Sequence, residues 1–462
     1  MPVRASTIAM ILGMLAPAAR GDWPNAGGNA GRNGSTPQIG PDSAQVLWTG
    51  GRSSIIAWQP VVAGSRVFVV RQTGFPPGGE PNGSPIFAMD LDTGAERWRA
   101  DIPFNTGDWT TWIAGARDGR VYASRSGNGA SVSARMYALR EDDGSVAWVS
   151  QDTTNAGAYD GVVFADNGDL VIGSFRDLWR IRGADGSTAW RTPRTASVSG
   201  NCGGAIGNGG VYLADAAAGG TVIKKFDLAT GAFLYQSPVM PGFTIQNSPM
   251  VGPDGTVYLS RTQNNATVDF FYAFLDTGSA LTQRWNAPAR WTTGSELAAT
   301  ADAVFMIAPG NIIEKRDPAT GAVLASSPVF ISDSPNLTPR MAVDALGRLY
   351  FSNGAFTNGR FYCFHPDLTE QWSLATPSVN IGAPAFGRDG TLVIARTGTS
   401  IAAYRTPRCP GDWNLDGVID FNDLLAFLND YNAGAARADV NGDGIVDFND
   451  FLAFLNLYNS GC

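Results

Sequence analysis

One pattern constrains this chain more than any other. Between residues 43 and 405 a Gly-x-Val-Tyr-like strand, a gap, a strand ending in Ala-x-Asp-like residues, a Thr-Gly turn and a Trp recur at a period of roughly 40–45 residues. The first unit shows it in Ser65–Val70, then Phe87 to Gly94, then Trp98. Later units carry Gly144 with Trp148, Gly186 with Trp190, Gly231 with Tyr235, Gly278 with Trp285, Gly321 with Leu324, and Tyr362-Cys363-Phe364 with Trp372. An eighth unit runs from Pro384 to Tyr404 and stops before its Trp, while Gln45 to Gly50 holds an isolated strand with Trp48. Four short strands per period are the signature of propeller blades, and a terminal strand completing the last blade closes the ring and removes its edges. The pattern predicts an all-β, eight-bladed β-propeller, with seven blades if the degenerate sixth unit is misread.

The turn chemistry explains the repeat. Thr-Gly or Asp-Gly supplies the positive φ of a tight hairpin turn. The Trp is a large apolar body whose indole N–H needs an acceptor, which suits a wedge between blades better than a ligand platform. The Ala-x-Asp-x-x-Thr-Gly-x-x-x-Trp pattern resembles the quinoprotein-type (PQQ-like) propellers, the quinoprotein alcohol dehydrogenase-like fold. Asp22 to Asn29 is similar to the lead-in such proteins carry. The resemblance implies the fold; its members include alcohol dehydrogenases that use pyrroloquinoline quinone and cofactor-free scaffolds.

The N-terminus reads as a secretory signal over 1–19: Arg4, the apolar run Ile8 to Ala16, and the small-x-small site Ala16-Pro17-Ala18. That run is too short to span a bilayer, so no transmembrane segment is expected. Residues 20–42 form the lead-in, 43–405 the propeller, 406–411 a linker, and 412–462 a separate small domain. The whole net charge of −8 lies between Cys409 and Cys462, where nine Asp face one Arg. A neutral body with an acidic tail argues against nucleic-acid binding and for divalent cations on the tail.

The tail holds two twelve-position loops 27 residues apart. In the first, Asp412, Asn414 and Asp416 occupy positions 1, 3 and 5, the Val418 carbonyl position 7, Asp420 position 9 and Asp423 position 12. In the second the same places hold Asp439, Asn441, Asp443, Ile445, Asp447 and Asp450. Hard Ca²⁺ takes six to eight oxygens, which this donor set supplies, so two calcium ions are expected. Position 12 is Asp where an EF-hand has Glu, and an apolar helix follows each loop with none entering. A loop and one helix, duplicated, resembles a dockerin-type EF-hand domain, and Gly461-Cys462 resembles its GC type. A Cys409–Cys462 bridge would staple a domain too small for a large core, worth about 4 kcal/mol in the chain-entropy model. The resemblance implies a cohesin-like partner. Yet Phe421-Asn422 and Phe448-Asn449 stand where cohesins are read and the helices lack Lys-Arg pairs, which favours another surface receptor. Cys202 and Cys363 read as buried thiols.

For the propeller, the single His365 argues against nucleophile–histidine schemes and histidine-built zinc sites. No two cysteines are adjacent, which argues against a bound pyrroloquinoline quinone held under a disulfide ring. The residues leading into the innermost strands, Trp58, Trp112, Tyr159, Asp160, Asn247, Glu296, Arg340 and Asn380, are the candidate ligand-binding set for a saccharide or peptide. Two functions follow as expectations. One is a secreted, cell-surface, non-catalytic binding propeller displayed by its calcium module. The other is an extracellular enzyme, a quinoprotein-type dehydrogenase or a carbohydrate-active lyase or hydrolase, docked to a surface complex for polysaccharide catabolism.

Overall fold

The computed structural model describes residues 23–462 except 75–84, 104–107, 128–132, 156–160, 196–202, 243–246, 263, 266, 333–336, 377, 383, 399–400, 407–408, 415–417, 442, 444 and 462. The chain divides into two compact units, Met1–Gly40 with Val46–Tyr404, and Pro41–Gln45 with Arg405–Cys462.

Eight antiparallel sheets make the first unit, so the sixth repeat is a full blade and the ring is eight-bladed. The innermost strands are Val61–Ala63, Asp108–Arg117, Val163–Phe164, Ala205–Gly207, Met250–Val251, Ala298–Ala299, Arg340–Val343 and Ala385–Phe386, in blades 1 to 8. The eighth blade is completed by Val46–Gly50, which pairs with Ile401–Tyr404, so the isolated Trp48 strand closes the ring as its sequence predicts.

Each element of the repeat motif has a physical task. Asp90 accepts from the Thr93 amide at 2.9 Å and the Thr93 hydroxyl at 2.8 Å, which shapes the turn at Gly94. The Trp of one blade then lies on the turn glycine of the next. The indole of Trp98 donates to the Glu141 carbonyl at 2.7 Å, Trp148 to Gly183 at 3.0 Å, Trp190 to Leu228 at 3.0 Å and Trp285 to Pro318 at 2.9 Å. Trp48 makes the same bond to Leu91 at 2.8 Å, carrying the pattern across the closure. A Cβ on Gly231 would sit 2.4 Å from the Trp190 ring at φ +72°, so only glycine fits there. Blade 4 has Tyr235 instead of Trp, and its hydroxyl donates to Asp276 of blade 5 at 2.5 Å. Burial would raise the Asp276 carboxyl, but hydrogen bonds from Lys225, Tyr212 and Tyr235 hold it at about 2.

The lead-in does something its sequence does not announce. It winds along the inner strands and visits the blades in order. Trp23 exchanges two backbone hydrogen bonds with Val62 of blade 1, at 2.9 and 3.0 Å. The Pro24 carbonyl takes the Ala116 amide of blade 2 at 2.8 Å, and Arg32 reaches the Gly161 carbonyl beside blade 3 at 3.3 Å. Ala30, Gly31, Asn33 and Gly34 then accept from Ile206, Val251, Ala299 and Val343 of blades 4 to 7 at 2.7–2.8 Å. Ile39 ends the course with its carbonyl against Gly390 of blade 8.

In the second unit, α1 (Phe421–Asn432) and α2 (Phe448–Ser460) each start on a capping box, with Asp420 and Asp447 as N-caps. Phe427 and Phe454, 27 residues apart, stack at 4.1 Å and 2° and are fully buried with Ala438. Trp413 packs edge-on against both phenylalanines, at 5.0 and 5.3 Å. An apolar helix follows each loop as the sequence predicts, but not every apolar residue of it faces inward. Leu425 and Leu452 are each 44% exposed, because the paired phenylalanines set a different face inward. Among the described residues no helix is long and apolar enough to cross a membrane.

Candidate functional sites

The propeller mouth gathers most of the sequence-predicted set. Trp58 and Trp112 line one cleft, of about 400 Å³ including its opening, with Gln59, Gly161, Ile381 and Ala26 of the lead-in. The Trp58 indole donates to Gln72 Oε1 at 3.2 Å, and the Thr110 hydroxyl shares that acceptor at 3.1 Å, so Trp58 is braced. Trp112 is 1% exposed, and its indole N–H has no acceptor among the described residues.

Asn247 and Glu296 line a second cleft of about 330 Å³, together with Arg32. Asn247 is a brace between blades 5 and 6: its Oδ1 accepts the Ser295 amide at 2.6 Å and hydroxyl at 2.9 Å, and its Nδ2 donates to the Ser260 carbonyl at 2.6 Å. Glu296 sits between two guanidinium groups, with Arg32 Nη1 at 4.0 Å and Arg340 Nε at 3.6 Å. The Arg32, Glu296 and Arg340 side chains are 2%, 8% and 1% exposed, so an Arg–Glu–Arg triad with one net positive charge is buried at the mouth. Asn380, in the approach to blade 8, accepts from the Thr338 hydroxyl at 2.7 Å through Oδ1, while its Nδ2 has no partner among the described residues. Tyr159 and Asp160 lie outside the described residues.

Two further buried carboxylates of the propeller are also tied to cations: Asp108 to Arg125, and Asp215 to Lys224 at 2.8 Å. Burial, and then the charge of Arg396 beside it, lowers the Arg71 guanidinium to about 10. Sequence reasoning missed Arg32 and Gln59. A lone Arg in the Gly- and Asn-rich run Gly27 to Gly34 was the available signal for the first. Cys363 is buried as expected, with its thiol toward Gln371 Oε1 at 3.6 Å, and Cys202 lies outside the described residues.

In the second unit the two loops repeat their bonding. Asp423 and Asp450, at position 12, are fully buried and bind loop amides rather than solvent. Asp423 accepts from Asn414 at 2.9 Å and Asp420 at 2.8 Å. Asp450 accepts from Val440, Asn441 and Asp447 at 2.8–3.0 Å, and these amides hold its carboxyl below the usual range. Within the second loop the Asp443 amide donates to Asp439 Oδ1 at 3.1 Å and to Asn441 Oδ1 at 2.8 Å, and the Ile445 amide to Asp443 Oδ1 at 2.9 Å. Three side-chain oxygens are thereby turned onto the loop's own backbone. Among the described residues no group of three or more His, Cys, Asp or Glu side chains is gathered for a metal; Asp416 lies outside them. Val418, Phe421, Ile445 and Phe448 are 60–64% exposed, an apolar set duplicated at the 27-residue offset.

No curated protein matches the chain. Among solved structures it is similar to the quinohemoprotein alcohol dehydrogenase from Comamonas testosteroni, at 13% identity and TM-score 0.59, covering 91% of this chain and 85% of that one. It is also similar to BamB from Moraxella catarrhalis, at 13% identity and TM-score 0.52, covering 79% of this chain and 98% of that one. Likenesses at that identity establish the fold alone. A family profile described as outer membrane protein assembly factor BamB matches residues 82–327, more than half of the 462. The chain therefore belongs to that family of PQQ-like β-propellers.

Proposed function

We propose that the chain is a non-catalytic binding propeller displayed outside the cell by a calcium-dependent, dockerin-like docking module. The observation that carries this reading is the duplicated loop–helix unit, whose paired exposed side chains Phe421 and Phe448 sit beside loops of Asp and Asn donors. Apolar side chains that exposed on so small a domain suit a protein partner. The partner proposed is a surface receptor protein offering an apolar face, a cohesin-like one included.

The donor types fit Ca²⁺. In the second loop the side chains of Asp439, Asn441 and Asp443, the Ile445 carbonyl, Asp447 through water and Asp450 would hold one ion; the first loop would hold the other with Asp412, Asn414, Asp416, Val418, Asp420 and Asp423. The ion's part is to neutralise crowded carboxylates and so couple binding to folding. A Cys409–Cys462 bridge would staple the unit; Cys462 lies outside the described residues. On the propeller, Glu296, Asp108 and Asp215 are each engaged by cations, which leaves none of them set as half of an acid–base pair.

Calorimetric titration of the EGTA-treated full chain with Ca²⁺ tests the reading. Two sites are expected, and Asp439→Ala should remove one. Absence of binding, or two sites retained in that variant, contradicts it.

A further inference from the structure

The lead-in is attached to the inner strands largely through its backbone, and its residue types explain how. Between Trp23 and Gln38 every side chain but one is small: Gly, Ala, Asn, Pro, Ser or Thr. Small residues let the segment lie directly on the ring. A Cβ on Gly31 would meet the Val251 carbonyl at 2.7 Å, and one on Gly34, at φ +64°, the Met341 carbonyl at 2.8 Å. The exception is Arg32, whose side chain is buried.

Arg32 reaches several blades at once. Its Nε donates to the Gly204 carbonyl at 2.7 Å and its Nη2 to the Gly161 carbonyl at 3.3 Å, just before the inner strands of blades 4 and 3. Its Nη1 lies 4.0 Å from Glu296 of blade 6, and Glu296 lies 3.6 Å from Arg340 of blade 7. Blades 3 and 7 stand four apart in a closed ring of eight, so they face each other across the central channel. A chain of polar groups therefore crosses the channel, and its three charged members are buried.

We propose that the lead-in is a strap that bars the central channel, is locked in place by Arg32, and leaves the inner strands as one unit when it opens. Arg32 suits the lock because its guanidinium fork engages carbonyls beside two blades and faces the carboxylate of a third. Between Trp23 and Gln38 no other side chain is long enough to do this. Release as a unit follows from composition. A Gly-rich segment gains much conformational entropy on detaching, so losing its one long anchor favours freeing all of it. With the strap in place, a ligand meets the ring at its faces and cannot pass through it. Released, the strap bares the inner-strand amides of Ala116, Ile206, Val251, Ala299 and Val343, in blades 2, 4, 5, 6 and 7. This inference rests on the ring's geometry and stands whatever the propeller binds.

The test is hydrogen exchange of the full chain, followed by mass spectrometry. Arg32→Ala leaves Glu296 and Arg340 as a neutral pair, so the ring should still fold. The amides of Ala116, Ile206, Val251, Ala299, Val343 and Ala345 donate to lead-in carbonyls. In that variant they should exchange together and at least about tenfold faster, the value of one charge-assisted hydrogen bond. Ala116 and Ala345 are the critical pair, because they bond Pro24 and Gln38, well along the chain from Arg32. Faster exchange confined to Ile206, Val251 and Ala299 would make Arg32 a local brace and overturn the proposal. Unchanged exchange overturns it too. Tyr235→Phe loosens the ring at blade 4 without touching the lead-in and should leave these amides as they are. An equal effect from that variant would show general loosening and not a lock. Should Arg32→Ala fail to fold, Arg32→Lys keeps the charge and loses the fork. The same amides should again speed up together, and full protection there contradicts the lock.

Discussion

The propeller and the loop–helix pair are both built by duplication, yet repetition stabilises them in opposite ways. In the propeller each copy supports the next: a Trp lies on the following blade's turn glycine, and Trp48 carries that contact across the closure. In the loop–helix pair the two copies share one small aromatic core, where Phe427 stacks on Phe454 and Trp413 packs against both. Among the described residues, only Phe427, Ala438 and Phe454 are fully buried there as apolar side chains. A domain with so small a core needs a metal or a disulfide to fold firmly. One region is stable by closure; the other, on the function proposed, would depend on the Ca²⁺ it takes up.

Three substitutions would break or sharpen that contrast. Phe427→Ala should have the largest effect, about 3–5 kcal/mol for a buried aromatic, which exceeds what a domain of this size spares. It should unfold the small unit while the propeller's denaturation midpoint stays put, read by far-UV circular dichroism, where the helical signal should be lost and the β signal kept. A shift of both midpoints would show that the units are not independent.

Gly231→Ala comes next. It meets the Trp190 ring at 2.4 Å at a φ of +72°, so overpacking and left-handed strain together should cost about 2–4 kcal/mol in urea unfolding. Gly119, also at positive φ but with nothing within 4 Å of its Cβ, is the control and should lose only about 1–2 kcal/mol on the same change.

The smallest effect is at blade 4. Tyr235→Phe removes one hydrogen bond to a charged group and should cost about 1.5–3 kcal/mol at neutral pH. Asp276 titrates at about 2 in the folded chain, below its ordinary 3.8. Its contribution is therefore complete above pH about 4 and is lost as the pH falls toward about 2. The Tyr235→Phe difference should shrink over that window. A difference that stays constant to pH 2 would show that the tyrosine acts by packing.

The propeller was readable because its signals are local and repeated. Thr-Gly turns, the Asp that holds them and the Trp that covers them recur in register, and the leftover Trp48 strand pointed to the closing pair. Tyr235 was readable as a Trp stand-in from its place in the repeat, though its acceptor Asp276 was not. The lead-in's path was hidden because it bonds through backbone amides and carbonyls, which any residue offers. The same holds for Leu425 and Leu452, whose spacing fits an apolar face but whose exposure is set by a contact between distant phenylalanines. At the mouth, sequence position identified Trp112, Glu296, Arg340 and Asn380 as neighbours of the channel. It did not separate the braces Trp58 and Asn247 from side chains with unused donors, because that depends on partners such as Gln72 and Ser295 from other strands.

Differential scanning calorimetry of the full chain, with Ca²⁺ and then with EGTA, probes the division between the two regions most directly. Two transitions are expected in Ca²⁺. EGTA should lower or abolish the small one and leave the large one where it was. If both transitions are unmoved by EGTA, or both move together, the calcium-dependent module carried beside a self-sufficient propeller is wrong.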